Sequence, residues 1–474
     1  MVMLQFYFYK RQVSFNLLTK FACLCFVLFF CQFCFIQEVL AETRVFTLSK
    51  AIDIALTNAP DVLAKLAELK GAESAAKAAK GSLLPQINAY ANYSRLSDPV
   101  AVVPIKGFGR NPPYFSKDIY KMGINIYVPI YQGGKLRANF KKAQFNKKAQ
   151  EYSLKAFKET LAAQVSTTFY EIIYLKALLE AKNITYKALE AQYENAKAAY
   201  RVGKIAQLDL MELETQLSSQ HQKIVNTQQA IIRAGQQFMF LLGLSPTSEF
   251  QLKGSLDANN FIADFNPHDF RNQVYLETII DKRPDIVSAK HQVRAAQEGV
   301  KAAKALHMPT LALIGDYGRH AGSGFEGNEE VWSAGVNLNL NIFSGGTISA
   351  KVSQAQAKLL AAEQQLRQRK SEAITQISMA LSSLKEAEAR IQLANKVQDT
   401  AEEAFRIEKL KYEKGAGTIT DVLKAQATWD ETKASLVKAL FDKTKALTDL
   451  YLYTGTLLNH LEKIHSANFE NRGE

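Results

Sequence analysis

The feature that most limits what this chain can fold into is that it is written twice. The stretch IYVPIYQGGKLRANFKKA (126–143) returns as LNLNIFSGGTISAKVSQA (338–355), and the spacing of Gly133 and Gly345 is 345 − 133 = 212. Tyr200 and Tyr412, Gly203 and Gly415, Asp209 and Asp421, and Gly243 and Gly455 keep that offset of 412 − 200 = 212. Earlier in each half, NAPDVLAKLAEL (58–69) matches KRPDIVSAKHQV (282–293), with Pro60 to Pro284 and Pro85 to Pro309 at 309 − 85 = 224. The first half therefore carries 12 extra residues, and Asp98–Pro113, rich in proline and glycine, reads as the loop that holds them. A unit repeated in this way is one supersecondary assembly that buries its apolar face against its copy.

Each unit runs helix, Leu-Pro or Met-Pro break at Pro85 or Pro309, strand, loop, strand, Gly-Gly, very long helix, glycine turn, second helix. Strands are expected near 86–96 and 118–131, then 310–320 and 331–343. Long helices are expected near 135–200 and 347–412, with second helices near 206–243 and 419–453. A helix over 135–200 is roughly 99 Å long at ~1.5 Å per residue, too long for one compact domain. Leu161, Val165, Thr168, Ile172, Leu175 and Leu179 step by four and three, as do Ile377, Leu381, Leu384 and Ile391, so these helices are expected to lie side by side as coiled coils. A fibrous coiled coil alone leaves the strands unexplained.

The strands alternate. Tyr120, Met122, Ile124, Ile126, Val128 and Ile130 share one face against Lys121, Gly123, Asn125 and Tyr127; Trp332, Ala334, Val336, Leu338, Leu340 and Ile342 oppose Ser333, Gly335, Asn337, Asn339 and Asn341. Sandwich strands alternate too. What distinguishes these is the company they keep. Lys10, Arg11 and Lys20 precede the uncharged run Phe21–Phe35, followed by a small-residue pattern ending at Ala41, which reads as an export signal over 1–41. Aromatics near the strand ends (Tyr90, Tyr93, Tyr131, Trp332, Phe343) resemble the girdles of membrane barrels, and asparagines on the second face imply water. Four strands are too few to close a barrel, and lipid tolerates no open sheet edge, so copies must combine. Two copies would fill their own interior; three would leave a lumen, which the hydrophilic face favours.

All four cysteines lie at or before residue 34, so the exported chain holds no disulfide framework and no thiolate site. The net charge of +12 is spread among glutamates along helices, which argues against a nucleic-acid face. The seven histidines show no metal-ligand spacing, and the GFG and GAG triplets at Gly107 and Gly415 are turns rather than phosphate loops. Neither an enzyme nor a cofactor is expected.

Taken together, the two Pro-Asp starts, the Pro85 and Pro309 strand starts, IYQGG with Gly133 and Gly134, IFSGG with Gly345 and Gly346, the turns YRVGKIAQLDLMELETQL and YEKGAGTITDVLKAQATW, and the ends FLLG and YLYTG resemble the TolC-like outer-membrane efflux and secretion channels. The resemblance spans nearly all of the exported chain. It implies a mixed, mostly α fold with a two-fold internal repeat, in which four strands per chain contribute to a twelve-stranded barrel of a homotrimer, continued by a periplasmic helical barrel. It implies outer-membrane lipid, a periplasmic adaptor (membrane fusion) protein and an inner-membrane RND or ABC transporter as partners, and it assigns passive conduction of efflux or type I secretion cargo. The expected organisation is a signal over 1–41, a first repeat over 42–244, an equatorial segment over 245–274, a second repeat over 275–456 and a tail over 457–474. A surface adhesin or structural coiled coil without a pore is the competing class. A diffusion porin would leave short turns, not such helices, on the inner side.

In such channels the glycine turns, here Gly203, Gly415 and Gly417, form the tip, and the pore narrows through charged residues after them. Tyr412, Asp421 and Asp209 match that pattern. A ring of their carboxylates would favour cations and raise some of its own pKa values by mutual repulsion. Asp209 followed by Glu212 also suits a helix-capping pair, whereas Lys424 three residues beyond Asp421 favours a pore role there. Gly417 stands where an arginine often sits, and Lys424 where an acid does. The opposite charges of the repeat mates Arg201 and Glu413, and Glu212 and Lys424, offer a substitute latch between neighbouring copies.

Overall fold

The computed structural model describes residues 44–104, 113–246, 249–256, 270 and 272–461. The segment 1–41 and residues 105–112 of the 98–113 loop lie outside these. The chain begins with strand β1 (Arg44–Phe46) and helices α1 (Leu48–Asn58) and α2 (Pro60–Gly81), followed by strands β2 (Gln86–Ala101) and β3 (Phe115–Gln132). Then come the long helix α3 (Lys135–Arg201), α4 (Gln207–Leu241) and β4 (Phe250–Leu252). The second half holds α5 (Gln273–Lys282), α6 (Pro284–Lys304), β5 (Thr310–Ala321), β6 (Glu329–Asn339), the long helix α7 (Thr347–Glu413) and α8 (Ile419–Thr454).

Each end of these elements has a local cause. Pro60 and Pro284 open α2 and α6, where a missing N–H costs nothing. The Gly-Gly pairs turn strand into helix with positive φ at Gly133 (61°), Gly134 (87°), Gly345 (58°) and Gly346 (81°). A Cβ on Gly133 would sit 2.5 Å from the Ala305 carbonyl oxygen, so that turn also needs glycine to lie against the other repeat. Both long helices are 67 residues, about 100 Å.

The four long strands form one antiparallel sheet in the order β2-β3-β5-β6. Its register places Ile87, Met122, Ile124, Ile126, Leu313, Tyr317, Trp332 and Val336 on one exposed face. Tyr120 to Ile130 spans about 33 Å along the strand, or roughly 25 Å of height at the usual barrel tilt, the thickness of an apolar membrane band. The opposite face is polar: Asn88 donates to Asn125 at 3.1 Å, and the Tyr90 hydroxyl to Asp316 at 2.9 Å across the paired glycines Gly123 and Gly318. Pro129 sits at a register shift, where its missing donor does least harm.

Some expectations need correction. Residues 98–101 belong to β2 rather than to a loop, because Val100 and Ala101 resume pairing with Ser116 and Phe115 beyond a bulge. β6 ends at Asn339, short of residue 343: its outer edge has no partner strand among the described residues of one chain, and β5 begins opposite it at Thr310. The inter-repeat segment contributes a strand the sequence did not announce. β4 pairs parallel with β1 and drives Phe46 and Phe250 against Phe238, with ring centroids 6.0 and 5.5 Å from it. This clip closes the main core, where Phe46, Phe169, Phe238, Ile286, Ile377, Leu447 and Tyr451 meet. Leu161, Val165 and Ile172 of the expected heptad face are buried in it.

Arg283 fastens the same level. Its guanidinium donates to both oxygens of Asp285 (3.0 and 2.9 Å), to the Tyr453 carbonyl (2.9 Å) and to Gln376 (3.2 Å), joining α6 to α7 and α8.

Candidate functional site

The end of the molecule farthest from the sheet is built from the two glycine turns. Gly203 and Gly415 have φ of 72° and 76°, with open space where a Cβ would be, so backbone handedness alone demands glycine. Gly203 N–H donates to the Tyr200 carbonyl and Lys204 N–H to that of Ala199; Gly415 and Ala416 repeat this with Tyr412 and Lys411, all at 2.9 Å. Beneath the turns Leu189, Leu213, Ile419 and Val422 are buried, flanked by Leu210 and Tyr412. This small core holds the ends of all four helices together, one long-helix length, about 100 Å, from the four-stranded sheet.

The sequence-selected residues divide around it. Asp421 accepts from the Thr418 hydroxyl (2.7 Å) and, more weakly, from the Thr418 N–H (3.4 Å), while Thr418 Oγ1 accepts from Asp421 N–H (3.2 Å). That is a reciprocal helix cap, which the expectation from the sequence favours less at Asp421 than at Asp209. The partner lies three residues before the acid, at Thr418, not after it at Lys424. Within one chain the Asp421 carboxyl is shifted downward. The Thr418 hydroxyl and N–H, then Lys411 and Lys424, hold it below the usual carboxylate range. Asp209 caps more weakly, accepting only from Ala206 N–H at 3.4 Å. It also faces Tyr412, whose phenol is pushed up by burial first and by the Asp209 carboxylate second.

Glu212 has a partner that sequence reasoning missed: it accepts from the Thr420 hydroxyl at 2.8 Å, tying α4 to α8 inside one chain. Arg201, Glu413 and Lys424 stand exposed at the rim. Gly417 packs on Lys411, where a Cβ would lie 3.1 Å from the Lys411 Cβ. Nothing in the spacing signalled the Glu212–Thr420 contact, because it crosses between repeats at a separation of 208 residues.

Some way up from the tip, α3, α4 and α8 line a half-open cavity of ≈410 Å³ whose walls mix apolar side chains with Lys182, Thr185, Gln220, Gln426 and Asp430. The Thr185 hydroxyl donates to Asp430 at 2.7 Å, and Lys182 donates to the Thr227 hydroxyl at 2.7 Å. Burial pushes the Asp430 carboxyl up; it pulls Lys182 down, with Lys223 adding to the effect. Among the described residues no His, Cys, Asp and Glu cluster could hold a metal ion. No described helix is long and apolar enough to cross a membrane.

Comparison with known proteins agrees with this geometry. The chain is 22% identical to the outer membrane protein TolC of Vibrio cholerae over 86% of its own length and 91% of that protein's. It is 25% identical to nodulation protein T of Rhizobium leguminosarum bv. trifolii, a match spanning 63% of this chain and 64% of that relative. The crystal structure of the outer membrane protein VceC from Vibrio cholerae superposes with a TM-score of 0.73 at 21% identity, covering 86% of this chain and 96% of that one. The family model described as outer membrane efflux protein matches residues 51–244 and 275–456, one segment in each repeat. By that match the chain belongs to the outer membrane efflux protein family.

Proposed function

We propose that the chain is one third of a homotrimeric outer-membrane exit duct of a tripartite efflux system. The duct conducts passively what an inner-membrane transporter delivers through a periplasmic adaptor. The observation that carries this reading is the union, in one chain, of an open-edged sheet with a ~25 Å apolar band and helices of about 100 Å. Three sheets close a twelve-stranded barrel with a polar lumen; three sets of helices continue it as a tunnel through the periplasm. The signal over 1–41 exports the chain. The tip is the constriction, with Asp209, Tyr412 and Asp421 just past its turns and Arg201, Glu413 and Lys424 on its rim. Efflux of small molecules and type I secretion of proteins both use such a duct, and the transporter decides between them.

Reconstitution of detergent-purified protein into planar bilayers tests the reading. Trimers by sedimentation and stepwise ion conductance are expected. Monomers, or trimers without conductance, would favour an adhesin or a structural coiled coil instead.

A further inference from the structure

The second repeat seats the guanidinium of Arg283, and the first repeat has the same seat without the arginine. The two junctions match in backbone: Arg283 has φ −57° and ψ 135°, and Ala59, its mate at 283 − 59 = 224, has φ −60° and ψ 126°. Each lies against the turn that ends the last helix of its repeat. A Cβ on Gly455 would come 3.4 Å from the Arg283 Cα, and one on Gly243 would come 3.1 Å from the Ala59 Cα. Those turns close alike, Gly455 N–H donating to the Leu452 carbonyl and Gly243 N–H to that of Phe240, at 3.0 and 2.9 Å. Every acceptor of the Arg283 guanidinium therefore has a counterpart. Asp285 maps to Asp61 (285 − 224 = 61), Gln376 to Gln164 (376 − 212 = 164) and the Tyr453 carbonyl to that of Leu241 (453 − 212 = 241). Only the donor differs: an arginine 8% exposed in one repeat, an alanine in the other.

Where the side chain is missing there is a half-open cavity of ≈910 Å³, lined by Ala59, Asp61, Gln164 and Leu241. Among the described residues no side-chain hydrogen bond or ion pair reaches Asp61 or Gln164, in contrast to their mates. Asp449 of α8 brings a second carboxylate to the same cavity, equally without such a partner. Burial pushes the Asp449 carboxyl up, and Lys445 offsets this only in part. Carboxylates left uncompensated in a cavity favour a cation, and the carbonyl end of α4 adds charge of the same sign. The space exceeds what an arginine side chain fills, and the rest of its wall is apolar at Phe157, Phe240 and Leu244. We propose that this cavity binds a small organic cation carrying a guanidinium on an apolar body. The guanidinium takes the position that Arg283 holds in the other repeat, bidentate on Asp61, and the apolar body rests on Phe157 and Phe240. Once bound, the cation ties α2, α3 and α4 together as Arg283 ties α6, α7 and α8. Every lining residue belongs to one chain, so the site does not depend on the trimeric duct.

Calorimetric titration of the full chain in detergent tests the site, with phenethylguanidinium as the probe and phenethylurea as its uncharged counterpart. The guanidinium is expected to bind saturably and about tenfold or more tighter than the urea, the worth of a hydrogen bond to a charged group. Asp61→Asn should weaken the guanidinium by about tenfold and leave the urea unchanged. Ala59→Arg carries a guanidinium of its own into the cavity. It should stay folded, melt at least as high as the native chain by circular dichroism, and bind no probe there. Absence of saturable binding, equally tight binding of the urea, or full binding retained in Ala59→Arg overturns the proposal. Loss of the fold in Ala59→Arg overturns it too, because the matching backbone would then not provide the room and the acceptors that Arg283 finds. None of these readings uses conductance or oligomeric state, so their failure leaves the duct standing.

Discussion

The two long helices start and end at matching positions of the repeat and have the same length, yet sixteen residues of α3 are buried and only eight of α7. The difference lies in their neighbours, not in their own sequences. α3 has the second repeat of its own chain alongside it. α7 has a flank whose partner is absent from a single chain. Identical helix-forming rules thus yield one helix finished by folding and one finished only by assembly. The rest of each repeat follows suit: α6 buries seven residues where α2, its counterpart, buries two.

The strongest way to break this comparison is to place a charge at the same repeat position on each helix. Ala162→Glu puts a carboxylate where nothing is exposed and should cost several kcal/mol, enough to lose the fold, as circular dichroism on heating would record. Ile374→Glu should leave the helical signal of the subunit intact and abolish trimers on a sedimentation profile. Equal effects from both variants would mean that α7 is not an assembly surface.

A smaller effect is expected at the Arg283 clasp, which has no equivalent in the first repeat, where Ala59 precedes Pro60. Arg283→Ala leaves Asp285 and the Tyr453 carbonyl without their donor, a loss of about 2–3 kcal/mol readable in denaturant titration.

The smallest concerns the caps. Thr418 and its mate Ala206 (418 − 206 = 212) head α8 and α4, so Thr418→Ala should cost, and Ala206→Thr should gain, ~1 kcal/mol. Because the Asp421 carboxyl is held below its ordinary value in the fold, its contribution is present above the unfolded pKa and is lost as pH falls through the folded one. The protection of the amides at the start of α8, measured relative to their intrinsic exchange rates, should therefore fall on acidification below the usual carboxylate range in the native chain. In Thr418→Ala that acid dependence should be weaker.

Much of the architecture was legible because it is periodic. The heptad steps around Val165 and Ile377, the alternation from Tyr120 to Ile130 and the paired glycines are local patterns with one physical reading each. What escaped was not periodic. β1 and β4 are three residues each and exist only because they meet. The Asp421 cap was less legible because its partner, Thr418, precedes it, while the residue three beyond it is Lys424. The Glu212–Thr420 tie and the Thr185–Asp430 bond join residues that lie far apart in the chain, and neither residue type announces its partner.

By itself the sequence determined that the chain is a duplicated unit, where its strands and long helices fall, and that one chain leaves sheet edges unpaired. These follow from hydrophobic period and backbone sterics, which act over a few residues at a time. Only the tertiary structure decided which face of each long helix is already covered and which ties hold the two tip turns of one subunit together. Those depend on side chains brought within 3 Å of one another across more than two hundred residues, where distance in space, not order in the chain, sets the energy.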